Sequence, residues 1–166
     1  MSDIIPLLIK EIKQEAEITR KFLQRTPLGN PEYKPHDKSM PIMKLSVHIA
    51  GLQGWVKLIL ETDELDFATS PFKPVTANNN EELLLFFETS LEGSLEALQK
   101  AQEEDLTAGW KLRAGDIIFA NLTKYEAIRN SIAHIIHHRA QLGVYLRLLN
   151  VPIPGSYGPS ADEPRS

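Results

Sequence analysis

The chain has 166 residues, 42% of them hydrophobic and 24% charged, with a net charge of −4 and no cysteine. That length gives one domain able to bury a core without covalent staples, and an acidic chain with no basic run interleaved with aromatics argues against a nucleic-acid partner. Without cysteine there are no disulfides, thiolate ligands or cysteine nucleophiles, so any metal must be held by nitrogen and oxygen. No apolar run approaches the roughly 20 residues of a membrane span. The beginning, Met1 to Pro6, lacks a charged lead and a secretory apolar segment, so the expected setting is the cytoplasm, with no membrane partner.

A first helix is predicted from about Asp3 to Arg25. Ile5, Leu8, Ile12, Ala16, Thr19 and Leu23 recur at steps of three and four, opposite a charged face. Pro6 is tolerated in its first turn. Thr26 to Pro31 stops it, and a loop carrying His36 runs to about Lys38. Lone in a loop, His36 is expected to be solvated.

The second helix is predicted from an N-cap at Ser39 through Glu61, with Leu45, Ile49, Leu52, Val56 and Ile59 as its buried stripe. His48 lies beside that stripe, and Trp55 shares nearly its angular position. Thr62 to Asn79 reads as a connector, with Ser70 to Pro74 as breakers. Asn79 or Asn80 then caps a third helix whose stripe is Leu84, Phe87, Leu91, Leu95 and Leu98. Trp110 to Arg113 and Ile117 to Ala120 flank Ala114-Gly115-Asp116, a short hairpin or an extended crossing.

The last helix opens with a capping box from Thr123 to Glu126 and runs to about Leu149, ended by Asn150-Val151-Pro152. On a helical wheel Ala127, Ser131, His134, His138, Leu142, Tyr145 and Leu149 share one side. His137 turns away toward solvent or a helix edge, and Asn130 and Gln141 flank the inward line. Ile132, Ile136, Ala140 and Gly143 form another apolar side, a candidate subunit interface. Residues 1–150 are thus read as a four-helix, all-α domain with a short irregular or hairpin segment before the last helix. Residues 151–166 are read as a tail that composition alone calls disordered, although Tyr157 and Ile153 leave room for it to lie along a surface.

Three of the five histidines fall between positions 134 and 138. His134 and His138, four apart, stack one turn above the other and can reach one metal ion. A third ligand must come from elsewhere, and His48, inward on another long helix, is the best placed. Taken singly, a histidine on an apolar face is more often a core residue bonded to a carbonyl. Two inward imidazoles at helical spacing with a third facing them shift the balance. Three neutral imidazoles leave a divalent ion with an open position, as in catalytic zinc sites, and nitrogen ligands suit zinc, nickel, copper and iron alike.

The stretch from His134 to Leu142, followed by Tyr145-Leu146-Arg147, resembles the signature of the DinB family. Val151 to Glu163 is similar to the tail of many members, and His48-Ile49-Ala50-Gly51 is a second anchor. The family usually has glycine where this chain has Ala140. The resemblance implies a four-helix bundle, often homodimeric, with His48, His134 and His138 holding a divalent metal such as zinc or nickel. It further implies a metal-dependent transferase or hydrolase acting on a small thiol-containing molecule. The alternative is a non-catalytic dimeric metal-binding or stress-response protein. No carboxylate lies on the inward stripe of the last helix, so the general base is unassigned, with His137, Gln141 and Tyr145 as weak catalytic candidates.

Overall fold

The computed structural model describes residues 3–70 and 75–163. In chain order they form α1 (Ile4–Gln24), α2 (Ile42–Leu52), α3 (Trp55–Glu61), β1 (Glu64–Asp66), α4 (Asn80–Lys100), a 3-10 turn (Glu103–Thr107), β2 (Gly109–Ala114), β3 (Ile117–Thr123) and α5 (Lys124–Leu148). The chain is therefore mostly helical with one small sheet rather than all-α. α5 packs against α1, α2 and α3, and α4 closes the other side against the same three helices.

All six residues expected on the buried face of α1 are buried, joined by Phe22 and Glu15. Both asparagines considered as caps of the third helix are used. Asn79 accepts from the Glu82 amide at 2.9 Å and caps α4. Asn80 donates instead to the carbonyls of Leu23, at 3.1 Å, and Thr26, at 2.9 Å. The start of α4 thus adds a donor to the carbonyls at and just past the end of α1. The inward face of α4 sits about one residue from the expected stripe: Leu83, Ser94 and Ala97 are buried with Phe87, Leu91 and Leu98, while Leu84 and Leu95 are half-buried.

The second expected helix is corrected in two places. Its N-cap is Pro41, not Ser39. The residue before a proline avoids the helical region, and Met40 lies outside the helix. The first free amides then find loop carbonyls, Ile42 donating to Tyr33 at 2.8 Å and Met43 to Pro31 at 3.1 Å. The single rod to Glu61 is also broken at Gln53-Gly54, giving α2 and α3. Buried Ser94 of α4 bridges the break, donating to the Gln53 carbonyl and accepting from the Lys57 amide at 3.3 Å. One hydroxyl thus stands in for the interrupted helical ladder.

The region expected as a mere connector contains β1, which pairs in parallel with β2 through Glu64↔Lys111, Leu65↔Leu112 and Asp66↔Arg113. Of the expected breakers, residues 71–74 lie outside the described residues. The segment before α5 is a hairpin: β2 and β3 are antiparallel, closed by Ala114↔Ile117. Gly115 takes φ +57°, which its lack of a Cβ permits. Asp66 pins the turn by accepting from the Gly115 and Ala68 amides, each at 2.9 Å.

α5 starts with the expected reciprocal capping box of Thr123 and Glu126. It ends in a Schellman arrangement: Asn150 is left-handed (φ 56°), and the Asn150 and Val151 amides return to Arg147 and Leu146 at 3.1 and 2.9 Å. The outward apolar side predicted on this helix is mostly used within the chain. Ile132 is buried and Gly143 lies against Phe22, while Ala140, Val144 and Leu148 remain exposed.

Composition misjudges the tail through residue 163. Asp162 pairs with Arg147 at 2.7 Å and accepts from the Ile153 amide at 2.9 Å, and Glu163 pairs with Arg25 and accepts from Gly155 at 3.0 Å. Tyr157 donates to the Glu15 carboxylate at 2.8 Å and accepts from Arg139 at the same distance. That contact leads into a buried cluster. Arg139, 2% exposed, meets Glu15 at 2.7 Å, the Thr19 hydroxyl at 2.9 Å and the Glu15 carbonyl at 3.1 Å. The pair ties α5 to α1 and gives the tail its anchor.

Removing one partner of such a pair leaves a buried charge unpaired. Arg139→Met is therefore expected to cost about 3–5 kcal/mol in urea unfolding, while the double change with Glu15→Leu loses substantially less.

Candidate metal centre

His48 is the seventh residue of α2, and His134 and His138 lie in the middle of α5. The packing of these two helices brings the three rings together. Each ring offers a nitrogen, and the three nitrogens lie within 4.8 Å of one another. Ring centroids are 5.2 Å apart for His48 and His134, 4.7 Å for His48 and His138, and 4.6 Å for His134 and His138. The Nε2 atoms of His134 and His138 face each other at 2.8 Å. All three side chains are half-buried.

Gln141, one turn beyond His138, orients the ring. Its amide nitrogen approaches His137 Nε2 at 3.1 Å, which turns its carbonyl oxygen to His138 Nδ1 at 2.7 Å. An amide oxygen only accepts, so His138 carries its proton on Nδ1 and presents the Nε2 lone pair to the other two rings. The exposed ring of His137 stacks edge-on to His138 at 5.1 Å. The third weak candidate, Tyr145, is committed elsewhere: it is buried, donates to the Met40 carbonyl at 2.8 Å and meets Tyr33 edge-on. His36 is exposed and accepts from the Lys38 amide at 3.1 Å, away from the cluster.

A cavity of about 630 Å³ opens beside His48 and His134. Its helical walls carry Val47, Gly51, Leu52, Trp55, Phe86 and Ala127, and the sheet contributes Leu112, Ala120 and Leu122. The expected partner Asn130 lines it together with Ser131 and Lys44. The sequence reading missed the sheet wall, Phe86 and Lys44. Of these, Lys44 carried a signal, standing four residues before His48 on the same helical face. It also missed the buried Arg139–Glu15 pair, whose sequence signal is only a charged residue at a core position of each helix.

Burial, reinforced by the nearby His138, His134 and Lys44, lowers the pKa of His48 from 6.5 to about 4. His134 is lowered too, first by burial and then by His138 and His137. Both rings are therefore neutral at pH 7, the form that donates a lone pair to a metal. The unfolded chain takes up these protons before the folded one does. Stability of chelator-treated protein is thus complete above about pH 6.5 and falls as pH drops through 6.5 toward 4. Thermal melts across that range are expected to show the decline, and His48→Gln is expected to flatten it.

The DinB family model matches residues 1–165. No curated protein sequence matches the chain. Among solved structures, it is similar to a DinB-like protein from Bacillus subtilis at 18% identity and TM-score 0.71, covering 96% of this chain and 99% of that one. A DinB-like protein from Bacillus cereus gives the same identity and TM-score over 90% of this chain and 95% of that one. A conserved protein from Enterococcus faecalis gives 15% identity and TM-score 0.64 over 90% and 98%. At these identities the structural likeness speaks for the fold alone, but the family match spans nearly every residue: the chain belongs to the DinB family.

Proposed function

We propose that this protein binds a divalent ion, zinc, nickel or a similar cation, through His48, His134 and His138. We further propose that it acts as a metal-dependent transferase or hydrolase on a small thiol-containing molecule. The observation that carries this reading is the convergence of three imidazole nitrogens from two helices, two of whose rings, His48 and His134, line a cavity.

The donor set fits such an ion. Two ligands at 2.0–2.1 Å from a metal stand roughly 2.8–3.4 Å apart at bond angles of about 90–110° and about 4.2 Å apart when opposed. The 2.8 Å between His134 and His138 falls at the short end of that range. Among the described residues, no carboxylate joins the three rings as a further ligand, which leaves coordination open for a substrate. A bound divalent ion supplies a Lewis acid that favours the deprotonated form of a thiol or water. The chain's own part is to keep His48 and His134 neutral and to hold His138 by its Nδ1 proton to Gln141. The same lack of a neighbouring carboxylate disfavours water attack, which needs a base, and favours a thiol that ligates directly.

It also supports the alternative reading, a non-catalytic dimeric or stress-response protein in which the ion ties α2 to α5. In either case the proposed frame is a cytoplasmic homodimer. Its helices make a four-helix bundle over residues 1–150, with α2 and α3 as one broken rod and residues 151–166 as the tail.

Elemental analysis is expected to find roughly one divalent ion per purified chain and little in His48→Ala or His138→Ala. Metal content unchanged in both variants defeats the site. On cobalt-substituted protein, added thiols are expected to produce new charge-transfer bands. A closed, unresponsive spectrum with metal-dependent stability selects the non-catalytic reading.

A further inference from the structure

We infer that the cavity beside the histidines takes the apolar body of a small monoanionic molecule, with Lys44 as the partner of its acidic head group. This deepens the function proposed above and rests on it for the chemistry at the histidine end.

The lining decides the body of the ligand. Aliphatic and aromatic side chains from α2, α3, α4, α5 and both hairpin strands make up most of the wall, in a volume typical of sites for small organic molecules. The tip of the Phe86 ring packs against α2 at Gly51, where an added Cβ would lie 3.3 Å from its Cζ. The ring therefore forms wall rather than filling the space. Polar groups are few, and some are already engaged. The Ser131 hydroxyl donates to the Leu52 carbonyl at 3.4 Å, which leaves Asn130, Lys44, the Trp55 indole N–H and the histidine edge. A polyhydroxylated or peptidic thiol placed here would bury many groups without partners, at a cost that apolar surface does not incur. Such a thiol has to approach the histidines from the open side, leaving the cavity to the other reactant.

The charge decides the head group. Among the described residues, Lys44 is the only formally charged lysine, arginine, aspartate or glutamate on the lining, and no carboxylate lines the cavity with it. It makes no ion pair among the described residues. It stands one helical turn before His48, close enough for its charge to act on that ring. A carboxylate bound at Lys44 therefore sits at the histidine end, with its apolar body running toward Trp55, Leu112 and Ala120.

The test is equilibrium binding of three phenylbutyl probes that share one body: 4-phenylbutanoate, 4-phenylbutanol and 4-phenylbutylamine. Binding is followed by tryptophan fluorescence and checked by calorimetry, on metal-loaded and on chelator-treated protein. The acid is expected to bind best and the amine worst. Lys44→Gln is expected to weaken the acid about three- to tenfold while leaving the alcohol unchanged. Ala120→Phe is expected to weaken all three about tenfold or more by filling the space. Phe86→Ala, which enlarges the cavity, is expected to shift preference to the bulkier 4-(1-naphthyl)butanoate and serves if Ala120→Phe does not fold. Equal affinity for acid and alcohol, or an acid affinity unmoved by Lys44→Gln, overturns the anionic head group. Absence of saturable binding in a protein that holds its metal overturns the whole inference and leaves the metal reading intact. Binding by a protein that elemental analysis shows to take up no divalent ion supports the inference and removes the metal reading instead.

Discussion

Three imidazoles share a half-buried corner in which a charge on His48 or His134 is disfavoured. Protonating His48 or His134 places a charge in a poorly hydrated setting beside the neighbouring rings, and Lys44 adds to the opposition at His48. This shared bias is visible in the depressed pKa values of His48 and His134. It also makes the corner suited to a cation that protons compete for poorly at neutral pH. The orientation of His138 follows from the same economy of protons, since the Gln141 oxygen takes the Nδ1 hydrogen and leaves the other nitrogen free.

The corner exists because α2 and α5 are held in a fixed register, and that register is set some distance away. On the far side of α5, the Arg139 guanidinium is spread over Glu15, Thr19 and Tyr157, which fixes the helix in rotation as well as position. Tyr145 bonds the Met40 carbonyl just before α2 begins, linking the two histidine-bearing helices directly. The break after α2 lets Trp55 start a new helix that still faces the same cavity as His48. A straight rod would have kept its ladder without Ser94, whose hydroxyl serves both sides of the interruption.

What could be read from the sequence was what repeats along a helix. The stripes of α1 and α5, the capping box at Thr123 and the inward pair His134 and His138 follow from periodicity and local hydrogen bonding. His48 followed from its place on a second apolar face. The strand β1 was not legible, because three residues carry no period and their partners lie more than forty positions away. The break at Gln53-Gly54 is satisfied by a serine on another helix, which local propensity cannot register. The tail failed for a related reason: composition counts prolines and serines, whereas Asp162, Glu163 and Tyr157 each find a particular arginine or glutamate.

The sheet that escaped the sequence reading is also what turns a histidine cluster into a shaped site. Helices alone would leave His48 and His134 facing a groove open along its length. Leu112, Ala120 and Leu122 of the hairpin close one side of it, and the turn at Gly115 is pinned to β1 through Asp66. The space that results is apolar where the sheet and Phe86 bound it and, among the described residues, cationic at Lys44. The site is therefore built from two structures: the helices supply the histidines and Lys44, and the hairpin shapes the space beside them. Substitutions on the inner face of β2 and β3 should change which molecules bind without touching the histidine geometry, because no hairpin residue contributes a ring to that corner.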